Sequence, residues 1–443
     1  MQVSVETTSG LERRITIGVP AEQVDSEVVK RLRDAAKKVR INGFRAGKVP
    51  FKVVKQRFGE GVRQEVLGEV INRTYFEALQ QEAINPAGMP SIDTTKNTEG
   101  EDLEYVATIE VYPEVQLPDY SSFSISKPIA SVEDSDVDKM IENLRTQQAS
   151  WEEVDRPAQD GDQVLIDYRG TKVGGENDGE EFAGGQAENQ TLVLGSNSMI
   201  PGFEDGIVGM KAGQEKKLPL TFPEDYHAEE LKGAAVEFNV TVHKVSEQKL
   251  PEVDAEFMKK YGVEEGGVHA FKVEVKSNME RELNKAQKSQ VKNQALDALY
   301  EAGDIELPNA LIANEIDNMR KQMLQQFGDA AKNFDAASLL PDSMFEEQAK
   351  KRVALGLLVG EIIKVQAMKP EEEKVREAIE QLAATYHEPE AVIQYYSSNR
   401  EAKANIEAMI LEDQVVDHIL SSAKVTEEST SYEKLMERQQ QQQ

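Results

Sequence analysis

The sequence predicts a multidomain α+β protein, with an N-terminal α/β unit, a central β-rich domain and a C-terminal all-helical domain. Three observations lead there. The chain has 443 residues, which at about 100–200 residues per domain makes two to four domains. Its hydrophobic period changes along the chain, from alternating strands mixed with helical stripes, to short glycine-bounded β segments, to long stripes of period 3.6. Hydrophobic residues are 39% of the total, below the globular norm of about 45–50%, so the cores are expected to be thin, as in extended helical parts.

Taken in order, residues 1–112 form the first unit. Segments 2–8 and 11–19 alternate like antiparallel strands. Pro20 suits a first helical turn, and Val24, Val28, Leu32, Ala35 and Val39 follow it as a helical stripe. After a glycine-rich turn a second helix is expected over 62–83, then an alternating strand over 103–112. Residues 113–150 contain Pro113, Pro118 and Pro128 and read as an extended linker with one helix near 136–148. Residues 151–246 are β-rich, with strands expected at 164–170, 191–195, 216–221 and 235–245. Residues 247–430 are helical. Ile312, Ile316, Met319, Met323 and Phe327 make one stripe after Pro308, and Phe345, Ala349, Val353 and Leu357 make another. Gly356 and Gly360 in that second helix are expected to permit close helix packing. Pro370 followed by Glu371–Glu373 marks a further helix start, and Ile406, Met409, Ile410, Val416 and Ile419 belong to a last long helix. Residues 431–443, ending in a glutamine run, are expected to be a disordered tail.

Charge is distributed unevenly. Residues 30–63 hold twelve basic residues and two acidic ones, Asp34 and Glu60, a net +10. The whole chain carries −29, so everything outside that segment carries −39. Such a molecule does not coat nucleic acid along its length, but its basic pole is a docking point for a polyanion. Cysteine is absent, which excludes disulfide frameworks, cysteine–zinc sites and thiol catalysis. The five histidines are scattered with no HExxH spacing, so no metal and no cofactor is expected. The longest apolar run, 353–363, is broken by Glu361 and falls short of the roughly 20 residues a membrane helix needs. With no apolar signal segment in residues 1–10, a cytoplasmic protein without a membrane partner is expected.

The sharpest local signal is Gly43-Phe44-Arg45-Ala46-Gly47-Lys48-Val49-Pro50, in the middle of the basic pole. Two glycines and a proline make a tight loop between helices, with Phe44 beside Arg45 and Lys48. Two readings stand on spacing alone: an ordinary turn with Phe44 in the core, or an exposed ring between cations, suited to docking on a ribonucleoprotein. This octapeptide resembles the GFRxGKxP ribosome-docking signature of the trigger factor family of bacterial ribosome-associated chaperones. Family members often have a basic residue where this chain has Ala46, a departure that bears on the electrostatic part of docking. The opening Met1-Gln2-Val3-Ser4-Val5-Glu6 and the segment Ile84-Asn85-Pro86-Ala87-Gly88 fit as well, and the resemblance runs through nearly the whole chain.

In the middle domain, Val164–Gly170, Glu181-Phe182, Leu194-Gly195, Met199–Gly206, Phe222–Tyr226 and Glu237-Phe238 run in an order similar to the FKBP-type immunophilins. Singly these aromatics read as the core of a small sheet. As an ordered set, the resemblance implies a prolyl pocket of Tyr168, Phe182, Ile200, Phe203, Tyr226 and Phe238. Rotation about an X–Pro amide faces a barrier of roughly 20 kcal/mol. The twisted transition state is less charge-separated than the planar amide, so an apolar pocket disfavours the ground state more, without acid, base or nucleophile. Two departures are visible: immunophilins usually carry Asp directly after the phenylalanine that Phe182 matches, where this chain has Ala183, and their aromatic near Gln190 is missing. Both imply modest activity or altered substrate preference. Residues 172–180, rich in glycine and acids, are expected to form an enlarged mobile loop.

Eight of the thirteen methionines follow residue 250. Methionine suits surfaces that accept varied apolar partners, and equally fills cores. The resemblance implies two helical arms here, forming with the docking domain a cradle for nascent and unfolded chains. It further implies docking near the peptide exit tunnel on ribosomal protein and rRNA, a part in keeping exported proteins open, and weak homodimers off the ribosome. Two rivals remain: a cytosolic holdase whose isomerase-like domain only binds peptide, and a free isomerase that never meets the ribosome.

Overall fold

Alternation at the N-terminus produces a hairpin. β1 (Gln2–Ser9) pairs antiparallel with β2 (Glu12–Val19) across a turn that holds Gly10 at φ 44°. The structure is a computed structural model and describes all residues except 40–43, 45–48, 175–178, 227, 328–339, 385, 387 and 442–443. After β2 come α1 (Ala21–Lys38), α2 (Phe51–Gln81), β3 (Ser91–Lys96), β4 (Leu103–Glu110), β5 (Ser124–Ile129) and α3 (Asp134–Gln147). The middle of the chain holds β6 (Ser150–Glu153), β7 (Gln163–Lys172), β8 (Glu181–Val193), α4 (Phe203–Ile207), β9 (Glu215–Thr221) and β10 (Ala235–Lys249). Then follow α5 (Ala255–Lys260), α6 (Gly267–Ala302), α7 (Asn309–Phe327), α8 (Glu346–Val365), α9 (Glu372–Ala383), α10 (Pro389–Ser398), α11 (Arg400–Ser422), β11 (Lys424–Ser429) and α12 (Tyr432–Gln441). No described helix is long and apolar enough to cross a membrane.

Two compact units result: residues 1–127 with 288–428, and residues 128–287 with 429–443. In the first, the sheet order is β1-β2-β4-β3. Ile15, Ile17 and Val19 face inward opposite Ala107, Tyr105 and Leu103. The helical stripe Val24, Val28 and Leu32 closes the other side of this core. α2 starts at Phe51, eleven residues earlier than the periodicity suggests, because Pro50 sets its first turn and Val54 is fully buried. That burial, about 1.5–3 kcal/mol, offsets Gly59 and Gly61 inside the helix, which cost about 1 kcal/mol each. Val291, Ala295 and Leu299 of α6 pack with Phe123, Ile125, Leu358, Ile362 and Val416. Glu110 at the end of β4 accepts from the Ala310 N–H (2.7 Å) and Asn309 Nδ2 (2.9 Å), capping α7.

In the second unit, β6-β10-β7-β8 form an antiparallel sheet, with β9 also paired to β10. Beside it α3, α5, the first part of α6 and α12 share a core of Val137, Ile141, Phe257, Phe271, Val275, Met279 and Leu435.

Three expectations are corrected here. The tail 431–443 is not disordered where described: residues 432–441 are helical, with Tyr432 8% and Leu435 1% exposed. An apolar pair at i, i+3 docks that helix, and the glutamine run masks it in the sequence. The helical region 247–430 is not one compact body, because the boundary at 287/288 falls inside α6, whose stripe buries Phe271 to Ala286 in one core and Val291 to Leu299 in the other. Gly356 and Gly360 do not mediate close packing: an ideal Cβ on either meets nothing within 4 Å, and the helix buries Ala354, Leu358 and Ile362 instead.

Candidate functional site

The sheet of the second unit delivers aromatic rings to one place. β7 carries Tyr168, β10 carries Phe238, the start of β8 carries Phe182, and α4 opens with Phe203. Phe238 lies opposite Gly170 in the β7–β10 register. A Cβ at Gly170 would come 2.6 Å from Phe238 Cε1 and 2.9 Å from Phe182 Cζ, so glycine is what lets both rings lie across the strand. The rings meet edge to face: Phe203–Phe238 at 5.2 Å, Tyr168–Phe203 at 5.5 Å, and Phe182–Phe238 at 5.9 Å between centroids.

Together they floor a cleft of about 440 Å³. All six residues proposed from sequence line it: Tyr168, Phe182, Ile200, Phe203, Tyr226 and Phe238. Phe203 and Phe238 are buried at its base, while Tyr168, Phe182, Ile200 and Tyr226 are half-buried around its mouth. Phe222, four residues before Tyr226, also lines it, although in the sequence it reads as ordinary core. Its ring meets Tyr226 at a tilt, 4.6 Å between centroids, and Phe182 edge to face at 5.6 Å. Met199 and Pro201, flanking Ile200, complete that wall. Ala183 lines the cleft too, so where the immunophilin pattern has a carboxylate this wall presents a methyl group.

The wall 199–201 is anchored from below by Glu204, a carboxylate only 8% exposed. Its Oε2 accepts from the N–H of Gly195 (2.8 Å) and Asn197 (3.1 Å), and its Oε1 from the N–H of Ser198 (2.9 Å) and Met199 (3.1 Å). Left-handed backbone at Gly195 (φ 86°) and Asn197 (φ 53°) helps turn these amides toward one point. Burial works to raise the Glu204 pKa, but the four backbone donors outweigh it and hold the carboxyl below the ordinary glutamate value. A second buried carboxylate, Asp162, is held elsewhere, by both guanidinium nitrogens of Arg156 (2.6 and 3.0 Å) and the Gln159 N–H (2.8 Å).

Among the described residues no group of three or more His, Asp or Glu is arranged to hold a metal. What the cleft offers is an apolar, ring-lined slot with room for a proline and its neighbours, the chemistry that favours a twisted amide over a planar one.

The basic pole has a different structure. Gly43, Arg45, Gly47 and Lys48 lie outside the described residues, as does the centre of the expected 172–180 loop. Phe44 is 41% exposed, so it is not in the core. Val39 and Val49, on either side, pack into the N-terminal core, and exposed Pro50 begins α2. Of the neighbouring cations, Arg31, Lys37, Lys55 and Arg63 pair with Glu69, Asp34, Glu99 and Asp25. Lys30, Arg33, Lys38, Lys52 and Arg57 are exposed and form no ion pair among the described residues.

Comparison with known proteins matches both halves of this picture. The family model described as bacterial trigger factor protein matches residues 1–144, and that for the bacterial trigger factor C-terminus matches 267–421. The model for FKBP-type peptidyl-prolyl cis-trans isomerase matches 154–243. The chain is 59% identical over 433 residues to a trigger factor of Cellvibrio japonicus, covering 98% of each chain. It is 53% identical over 439 residues to one of Teredinibacter turnerae, covering 99% of this chain and 98% of the relative.

Proposed function

This chain belongs to the bacterial trigger factor family, and from that premise we propose how its parts divide the work. It is a molecular chaperone with an FKBP-type peptidyl-prolyl cis–trans isomerase domain, in a family of ribosome-associated chaperones that act on nascent polypeptides. The catalytic site is the cleft of Tyr168, Phe182, Ile200, Phe203, Tyr226 and Phe238. Their convergence on one cavity is the observation that carries this assignment. A prolyl ring on the aromatic floor loses water, and the planar amide, being the more polar state, loses more from that transfer than the twisted one. Rotation is then eased without proton transfer. Replacing half-buried Phe182 or Ile200 by alanine is expected to lower kcat/KM for an Xaa–Pro peptide about tenfold, with the chain still folded. Full activity in both variants would contradict the site.

Residues 43–50 are the docking element. Phe44 fills a pocket on ribosomal protein near the exit tunnel, while Arg45, Lys48 and the unpaired cations of the stem meet rRNA phosphate. Exposed Phe44 within a +10 segment supports this. Residues 1–112 thus hold the chaperone at the ribosome, 151–246 isomerise, and the helical residues of 247–430 bind apolar segments and keep exported proteins open. The protein acts in the cytoplasm and forms weak homodimers when free. Cosedimentation with ribosomes tests the docking: Phe44→Ala with Arg45→Ala is expected to abolish pelleting, and pelleting equal to the parent would contradict it.

A further inference from the structure

The loop 195–199 has the geometry of an anion-binding nest, with four backbone N–H groups turned to one point and two residues in left-handed backbone. Its occupant is internal: Glu204, the second residue of α4, directly after the buried ring Phe203. Ser196 and Ser198 hydroxyls stand 3.3 and 3.4 Å from the same Oε1. The loop ends in Met199, Ile200 and Pro201, which are wall residues of the cleft, and Gly202 at φ 86° returns the chain into α4. One side chain therefore ties the base of the cleft to its wall.

We infer that Glu204 is a positioning residue for prolyl isomerisation: its carboxylate, acting as an internal anion in the 195–199 nest, sets the place of Met199, Ile200 and Pro201 before substrate arrives. This rests on the assignment of the cleft as the prolyl site. Each carboxylate oxygen takes two backbone donors, so Glu204→Gln, whichever way its amide turns, sets an NH₂ against two N–H groups. The loop then gives up two of its four anchors, and the wall must be ordered by the peptide itself. That ordering is drawn from binding free energy and raises KM. The twisted amide still meets the same rings, so kcat is little changed.

The test uses the full chain and an Ala-Leu-Pro-Phe peptide, with cis–trans exchange followed by NMR over a range of peptide concentrations. Glu204→Gln is expected to raise KM about tenfold while kcat stays within about threefold. Glu204→Asp, a shorter carboxylate that reaches fewer donors, is expected to fall between it and the parent, and serves if the Gln variant does not fold. The amide protons of Gly195, Asn197, Ser198 and Met199 should move upfield together in both variants. Asp162→Asn is the control, since it removes a buried carboxylate that faces Arg156 and Gln159 instead of the nest, and its KM should match the parent. A parental KM in a folded Glu204 variant, or an equal rise in Asp162→Asn, overturns the inference. If Phe182→Ala also keeps full activity, the cleft assignment itself has failed. If Phe182→Ala is impaired and Glu204→Gln is not, only the role of Glu204 has.

Discussion

At Gly170 the backbone of β7 passes beneath Phe182 and Phe238 with no room for a methyl group. Gly170→Ala is expected to destabilise the domain by about 1–3 kcal/mol through overpacking and to raise KM, read from urea melts and peptide kinetics. Glu204 gives a pH prediction with a definite sign. Its folded pKa lies below the ordinary value of 4.5, so the ionised form is favoured by folding. Its stabilisation is complete above that ordinary value and is lost as pH falls through the lower folded value. The stability gap between the parent and Glu204→Gln should therefore be full near pH 7 and shrink below about pH 4, measured by denaturant melts at both. The six ring and aliphatic positions of the cleft were legible because they belong to an ordered series of short motifs spread over three strands, a short helix and the loops beside them. The nest was not legible: hydrogen bonds from successive backbone amides leave no pattern of residue types, and Glu204 reads as one more acid in an acidic chain. Phe222 escaped for a related reason, since a buried aromatic after a strand looks like ordinary core until its contact with Tyr226 is seen.

At the scale of elements, the N-terminal hairpin and the stripe of α1 follow their hydrophobic periods closely, because one face of each is buried and the other solvated. β3 (Ser91–Lys96) carries no such signal, since all six of its residues are exposed and its place comes from pairing with β4 alone. β8 was seen only near its C-terminal end. Its first half, with Gly184, Gly185 and Gln186 after Phe182, shows no hydrophobic alternation, and Phe182 serves the cleft. The terminal helix 432–441 departs furthest from its polar sequence pattern, and its buried Leu435 makes a test. Leu435→Ala should lower stability by about 2–4 kcal/mol, read as a drop in the melting temperature of the unit formed by 128–287 and 429–443. A change within a few tenths of a kcal/mol, as for an exposed residue, would mean that this helix contributes nothing to the core.

Across the whole molecule, the −29 net charge repels polyanions everywhere but at residues 30–63. That asymmetry predicts how it meets the ribosome. Attraction carried by a few cations weakens with salt in proportion to the number of phosphates neutralised, whereas an apolar anchor such as Phe44 is nearly indifferent to salt. Both components should be present and separable. The most direct measurement is cosedimentation of the full chain with ribosomes across a salt series, for the parent and for Phe44→Ala. The expected result is parental affinity that falls steeply with salt, and a variant that binds weakly at every salt concentration but keeps much the same slope. Pelleting that is independent of salt, or a variant indistinguishable from the parent, would contradict the account.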